Sequence, residues 1–97
     1  MSFSLHPGAQ RDLAEAADFY ACEGSRHVAQ RFVAEVARVA ALIAANPDIG
    51  VSSTRGRRVL SMQVFPYAVV YRRADDGIHI PVVRHHRRHP AFGRARG

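Results

Sequence analysis

Apolar positions recur along this chain with two different periods. At the start, Phe3 and Leu5 alternate with Ser4 and His6, which predicts a short strand. Pro7 opens a helix in its first turn, where a missing N–H costs nothing. Ala9, Leu13, Ala16, Ala17 and Tyr20 form one apolar stripe at helical spacing, with Asp12, Glu15 and Asp18 largely away from it. Gly24 suits the stop. Ser25 is a good N-cap for a second helix. Phe32, Val33, Val36, Val39, Ala40 and Ile43 then repeat at three and four, over about five turns. Asn46-Pro47 ends that helix. The short gap between the two predicts an antiparallel helix hairpin.

After a polar loop over 48–56 the period becomes two. Arg58, Leu60, Met62 and Val64 alternate with Arg57, Val59, Ser61 and Gln63, as a strand would. Phe65-Pro66-Tyr67 makes a turn, and Ala68 to Arg73 reads as a β-branched and aromatic strand. Asp75-Asp76-Gly77 is a hairpin signal leading into a return strand, Ile78 to Arg84. Pro81 inside that strand lacks a ladder donor, which predicts an edge or a bulge there. Residues 86–97 follow as a basic tail. The order β-α-α-β-β-β predicts an α+β fold, with the helix hairpin packed on one face of a small antiparallel sheet. The other face should be free to present side chains. The whole chain, 1–97, reads as a single domain.

Composition narrows the class. A chain of 97 residues can bury roughly two-thirds of its unfolded surface. Its 47% hydrophobic content argues against global disorder. Cys22 is the one cysteine, so no internal disulfide can form, and a reducing cytoplasm is the expected setting. Near a helix end and with no base paired to it, Cys22 reads as a small core filler. No apolar run approaches the roughly 20 residues of a membrane span. The opening MSFSLHPGAQ lacks the basic and apolar regions of a secretory signal.

Charge changes the picture more. All 14 basic residues are arginine. Codon bias accounts for the missing lysine, yet it does not account for the distribution. Residues 1–54 hold four arginines against six acids, while Arg55 onward holds ten against Asp75 and Asp76. Such asymmetry fits a partner that is negative: a nucleic acid or an acidic protein surface.

The densest chemistry is Arg84, His85, His86, Arg87, Arg88 and His89. RNA cleavage needs a base, an acid and cations for the phosphorane, and histidine and arginine can fill those roles. The same residues equally make a basic surface that grips an anionic partner, and that reading is favoured here. His85 and His89 are four apart, but a strand end, no nearby carboxylate or thiolate, and flanking arginines all disfavour a metal. Arg72 and Arg73 are adjacent on a strand and must point to opposite faces; one could anchor phosphate, or be answered by Asp75 or Asp76. Arg55, Arg57 and Arg58 add to the basic field. Tyr67 and Tyr71 share parity and so share a face, with core packing or base stacking both open to Tyr67. No phosphate-binding glycine loop and no carboxylate pair are present.

The element order, RDLAEAADFY in the first helix, AANP closing the second, FPYAVVYRR and HHRRHP together resemble the RelE/ParE superfamily over about residues 5–94. The resemblance is to the ParE-like branch, often called plasmid stabilisation proteins. It implies a bacterial type II toxin that is neutralised by a cognate antitoxin and inhibits a DNA-handling enzyme such as DNA gyrase. It implies no cofactor, no metal and no membrane, and contact with operator DNA only through the antitoxin. Target binding then falls to Arg84, His85, His86, Arg87, Arg88 and Arg94. The alternative within the superfamily is a ribosome-dependent messenger RNA endonuclease using His85, His86, Arg72 and Arg88. Relatives of that kind carry arginine after the tyrosine that opens the third strand, where this chain has Ala68 after Tyr67. They end with a tyrosine or histidine where Phe92 stands, and phenylalanine cannot move a proton. A third outcome is a toxin that has lost activity and persists as a corepressor.

Overall fold

The computed structural model of the chain describes residues 2–75 and 77–97. Strand β1 (Ser2–Leu5) leads into helices α1 (Pro7–Glu23) and α2 (Arg26–Ala45). A two-residue strand β2 (Val51–Ser52) and a 3₁₀ turn (Thr54–Gly56) precede β3 (Arg58–Ser61), β4 (Tyr67–Ala74) and β5 (Gly77–His85). Both helices start where side chains satisfy orphan N–H groups. His6 Nδ1 accepts from the Gly8 N–H at 2.9 Å, and Ser25 Oγ accepts from Val28 N–H at 3.2 Å.

The five strands lie in the order β1-β5-β4-β3-β2. The meander β3 to β5 is antiparallel, as expected; β2, inside the stretch read as a polar loop, adds an antiparallel strand to it, and β1 runs parallel to β5, Leu5 opposite Ile80. The sheet is therefore mixed, because the helical crossover lets the first strand arrive beside the last in the same direction. Of the Asp75-Asp76-Gly77 turn, Asp76 lies outside the described residues. The register between β4 and β5 slips between Val70 and Arg72. Pro81 stands opposite that irregularity, just past the end of β1, so the missing donor falls where the ladder is already broken.

The core lies between the helix hairpin and one sheet face: Ala9, Ala16, Phe32, Val36, Val39, Ala40 and Ile43 against Val69, Tyr71, Ile78, Ile80 and Val83. Tyr67 and Tyr71 both face it, as shared parity requires. Three expectations fail. Val33 is half exposed, since 33 falls at the margin of the α2 stripe. Cys22 is exposed near the end of α1 and fills no core space. Asp12 is buried at 8% exposure, because α1 lies against the β5 edge beyond β1 and turns this residue into it.

The second sheet face is not free. Ala68, Val70 and Val82 are buried although they point away from the helices. Residues 86–97 fold back over them in a run of turns, with backbone bonds from Arg88 to His85, Phe92 to His89, Arg94 to Ala91 and Arg96 to Gly93. Gly93 makes this cover possible: at φ 77° it sits so close to Val82 that an added Cβ would lie 2.4 Å from a valine methyl.

Candidate anion-binding surface

Strand β5 ends at His85, and the chain turns at once. His86 donates its N–H to the Pro66 carbonyl at 2.9 Å, which fixes the start of the turn against the β3–β4 loop. His85 Nδ1 accepts the Arg87 N–H at 3.0 Å, and its ring meets the Tyr67 ring edge-on at 4.9 Å. Burial, then the charges of Arg87, His86 and Arg88, lower the pKa of His85 from its ordinary value. The imidazole is thus a neutral structural piece of the turn at neutral pH. Burial first raises the pKa of Tyr67, so its phenol stays protonated.

The turn lifts Arg87 and Arg88 into solvent beside exposed His86 and His89. Arg88 lies over the Phe92 ring at 4.6 Å. Arg84 is half-buried and donates to the Pro90 carbonyl at 3.2 Å. Arg94 is exposed. Among the described residues no carboxylate pairs with Arg84, Arg87, Arg88 or Arg94. Arg84, His85, His86, Arg87 and Arg88 therefore gather at one end of β5, while Arg94 sits further along the folded tail.

Arg72 and Arg73 separate as adjacent strand residues must. Arg72 reaches the backbone oxygen of Gly97 at 3.0 and 2.8 Å, under the tail. Arg73 pairs with Asp48 at 3.5 Å, as Arg58 does at 3.7 Å, so among the described residues the answering acid is Asp48. A nuclease set of His85, His86, Arg72 and Arg88 is thereby split. His85 and Arg88 line one cleft of about 300 Å³ with Glu15, Phe19 and Tyr67, whereas Arg72 lies beneath the tail's end. No group of three or more His, Cys, Asp or Glu among the described residues could hold a metal.

A residue that sequence reading missed is Asp12. Its carboxylate accepts the Val83 N–H at 3.0 Å and pairs with Arg96 at 2.7 Å. Arg96, one of the ten arginines from Arg55 onward, turns inward, and its guanidinium also lies 5.0 Å over Phe92. The signal was available, since Asp12 stands three residues after Ala9 and four before Ala16, on the same helical face.

A profile described as the ParE toxin of the type II toxin-antitoxin system parDE matches residues 3–90. The chain belongs to the ParE toxin family. Its fold has a solved counterpart in the chromosomal ParDE toxin–antitoxin system from P. aeruginosa, with a TM-score of 0.76 and 23% identity. That alignment covers 88% of this chain and 95% of the other. No curated protein matches the chain significantly. As a ParE-family member it is a type II toxin with an antitoxin partner. No described helix is long and apolar enough to cross a membrane.

Proposed function

We propose that this ParE-family toxin binds and inhibits DNA gyrase without chemistry of its own, and that its exposed arginines carry the contact. The supporting observation is the unpaired cluster Arg84, Arg87 and Arg88 at the end of β5, held on a turn braced by His85, His86 and Phe92. Guanidinium groups without internal carboxylates keep their two-pronged donors for a partner's acids or phosphates. Arg94 extends this surface along the tail. The separation of Arg72, beneath the tail's end, from His85, His86 and Arg88 supports a binder over a nuclease.

Neutralisation is proposed to occur on the helix hairpin. Ala17, Ala29, Val33, Ala34 and Ala37 line an apolar groove there, which suits an amphipathic helix of the cognate antitoxin. Expression without the antitoxin tests the reading as a whole. The expected outcome is elongated cells with broken or relaxed DNA and intact messages. Rapid loss of transcripts with cut ends would instead establish the endonuclease.

A further inference from the structure

Arg57 is buried, with 8% of its surface exposed, and among the described residues no carboxylate pairs with it. Its guanidinium donates to the Gly93 carbonyl at 3.3 Å and to the Arg96 carbonyl. Arg55 beside it donates to the Arg94 carbonyl at 2.9 Å. Arg72 completes the group with its two bonds to the Gly97 oxygen. Burial, then the charges of Arg55, Arg72 and Arg96, push the pKa of Arg57 down. A buried cation is ordinarily matched by an anion, because it gives up its hydration on leaving water. Around Arg57 the match is made by peptide dipoles from the tail.

The backbone beneath is unusual too. Arg55 adopts φ 59° and ψ 34°, the left-handed region that few non-glycine residues enter, and Gly56 follows at φ 69°. Such conformations are strained and collect at binding sites. Here the strained residue is one of those whose guanidinium bonds the tail's backbone.

We propose that Arg55, Arg57 and Arg72 form a binding site for the phosphates of a nucleic-acid backbone, and that residues 93–97 cover it with their own carbonyl oxygens. Guanidinium forks match phosphate oxygens, and a phosphodiester brings full charge where the tail offers Arg55 and Arg57 only peptide dipoles. The cover is anchored at two points, the close seat of Gly93 on Val82 and the Arg96–Asp12 pair. Both can be released by substitution at the tail alone. The inference is independent of which enzyme the toxin inhibits, and it concerns guanidinium groups other than those assigned to that contact.

The test uses the full chain carrying Gly93→Val, whose side chain collides with Val82 and whose φ is unfavourable. Faster tryptic cleavage after Arg94 reports that the tail has lifted. The probe is a short fluorescein-labelled single-stranded DNA titrated at low salt, with inorganic pyrophosphate as competitor. The expected result is affinity about tenfold above wild type, with steeper salt dependence as further phosphates are neutralised. Arg57→Ala added to Gly93→Val should return the affinity to wild type, whereas Arg57→Ala alone should change little. Should Gly93→Val fail to fold, Arg96→Ala frees the tail's end and supports the same comparison. A lifted tail with no gain in affinity, or a gain that survives Arg57→Ala, overturns the proposal.

Discussion

Asp12 and Arg96 stand 84 residues apart in sequence and 2.7 Å apart in space. The same Asp12 oxygen accepts the Val83 N–H, and the same Arg96 nitrogen donates to the Pro81 carbonyl at 3.2 Å. Four groups close the open edge of β5 beyond β1, so α1, the sheet and the tail meet at one carboxylate. An exposed strand edge is otherwise a site for unwanted pairing.

Asp12→Ala is accordingly expected to cost about 3 kcal/mol, since it orphans a buried N–H and leaves a largely buried guanidinium unpaired. Arg96→Ala should cost less, about 1–2 kcal/mol, because Asp12 keeps its bond to Val83. Urea denaturation of the two single variants and the double variant gives the coupling. Strict additivity would show that the pair contributes nothing as a pair.

Tyr71 makes the loop before β2 part of the core. Its hydroxyl donates to the Pro47 carbonyl and accepts the Gly50 N–H, both at 2.8 Å. Tyr71→Phe should lose about 1–2 kcal/mol in chemical denaturation, since it leaves buried backbone groups unanswered. Gly50→Ala should be worse than its small size suggests, because the new Cβ would lie 2.7 Å from the Tyr71 hydroxyl. Equal stability of Tyr71→Phe and wild type would remove the loop from the core.

Stability should fall on mild acidification. Burial first, then Arg87, His86 and Arg88, lowers the pKa of His85; burial, then Arg72, His6 and Arg57, lowers that of His79. A histidine whose pKa is lower in the fold binds fewer protons there than in the unfolded chain, so stability rises with pH across that window. Their contribution is fully present above the unfolded value of about 6.5 and is lost as pH falls through the lower folded values. Glu35, lowered chiefly by its bond to Arg38, loses its contribution only in the more acidic carboxylate range. Melting temperatures between about pH 7.5 and 5 should decline, and His85→Gln should flatten the decline. A pH-independent melting temperature would contradict the neutral, turn-bracing assignment of His85.

The antitoxin groove has a direct probe in Val33. It is half exposed in a groove of small residues, so Val33→Glu should leave stability within about 0.5 kcal/mol of wild type. The same charge placed against an incoming apolar helix face should weaken the complex with the cognate antitoxin by at least about tenfold. Co-purification of the pair with undiminished affinity would place the docking surface elsewhere.

Much of this architecture was legible in the residue pattern, for physical reasons. Both helices follow from the 3.6-residue stripes through Ala16 and Phe32, and their starts follow from Pro7 and Ser25. Tyr67 and Tyr71 share a face because strand parity leaves no choice. The direction of β1 was not legible, since alternation at Phe3 and Leu5 is the same for either direction. Nor was the folded tail, because residues 86–97 are too rich in arginine and histidine to signal burial. Its cover is made by main-chain carbonyls, a glycine without Cβ and a partner 84 residues away, none of which leaves a periodic trace. The exposed half of the site, Arg87 and Arg88, followed from local charge density. The inward half, Arg57, Arg72 and Arg96, depended on that fold-back.

The proposed contact with the target predicts that function and folding can be separated at the tip of β5. Arg87 and Arg88 are exposed, and no described carboxylate pairs with either. Arg87→Ala should be nearly silent in stability, and Arg88→Ala should lose only its stack on Phe92, about 0.5–1 kcal/mol. The double variant should nevertheless relieve growth arrest at equal expression, because two desolvated guanidinium contacts are a large share of an interface's binding energy. Arg38→Ala supplies the control. Its bidentate pair with Glu35, both bonds at 2.8 Å, lies on α2 in a cleft with Val64 and Phe65 that includes no residue of the β5 turn, and its loss should leave toxicity unchanged. A double variant that arrests growth as wild type does, with an unaltered melting curve, would move the target contact away from this turn.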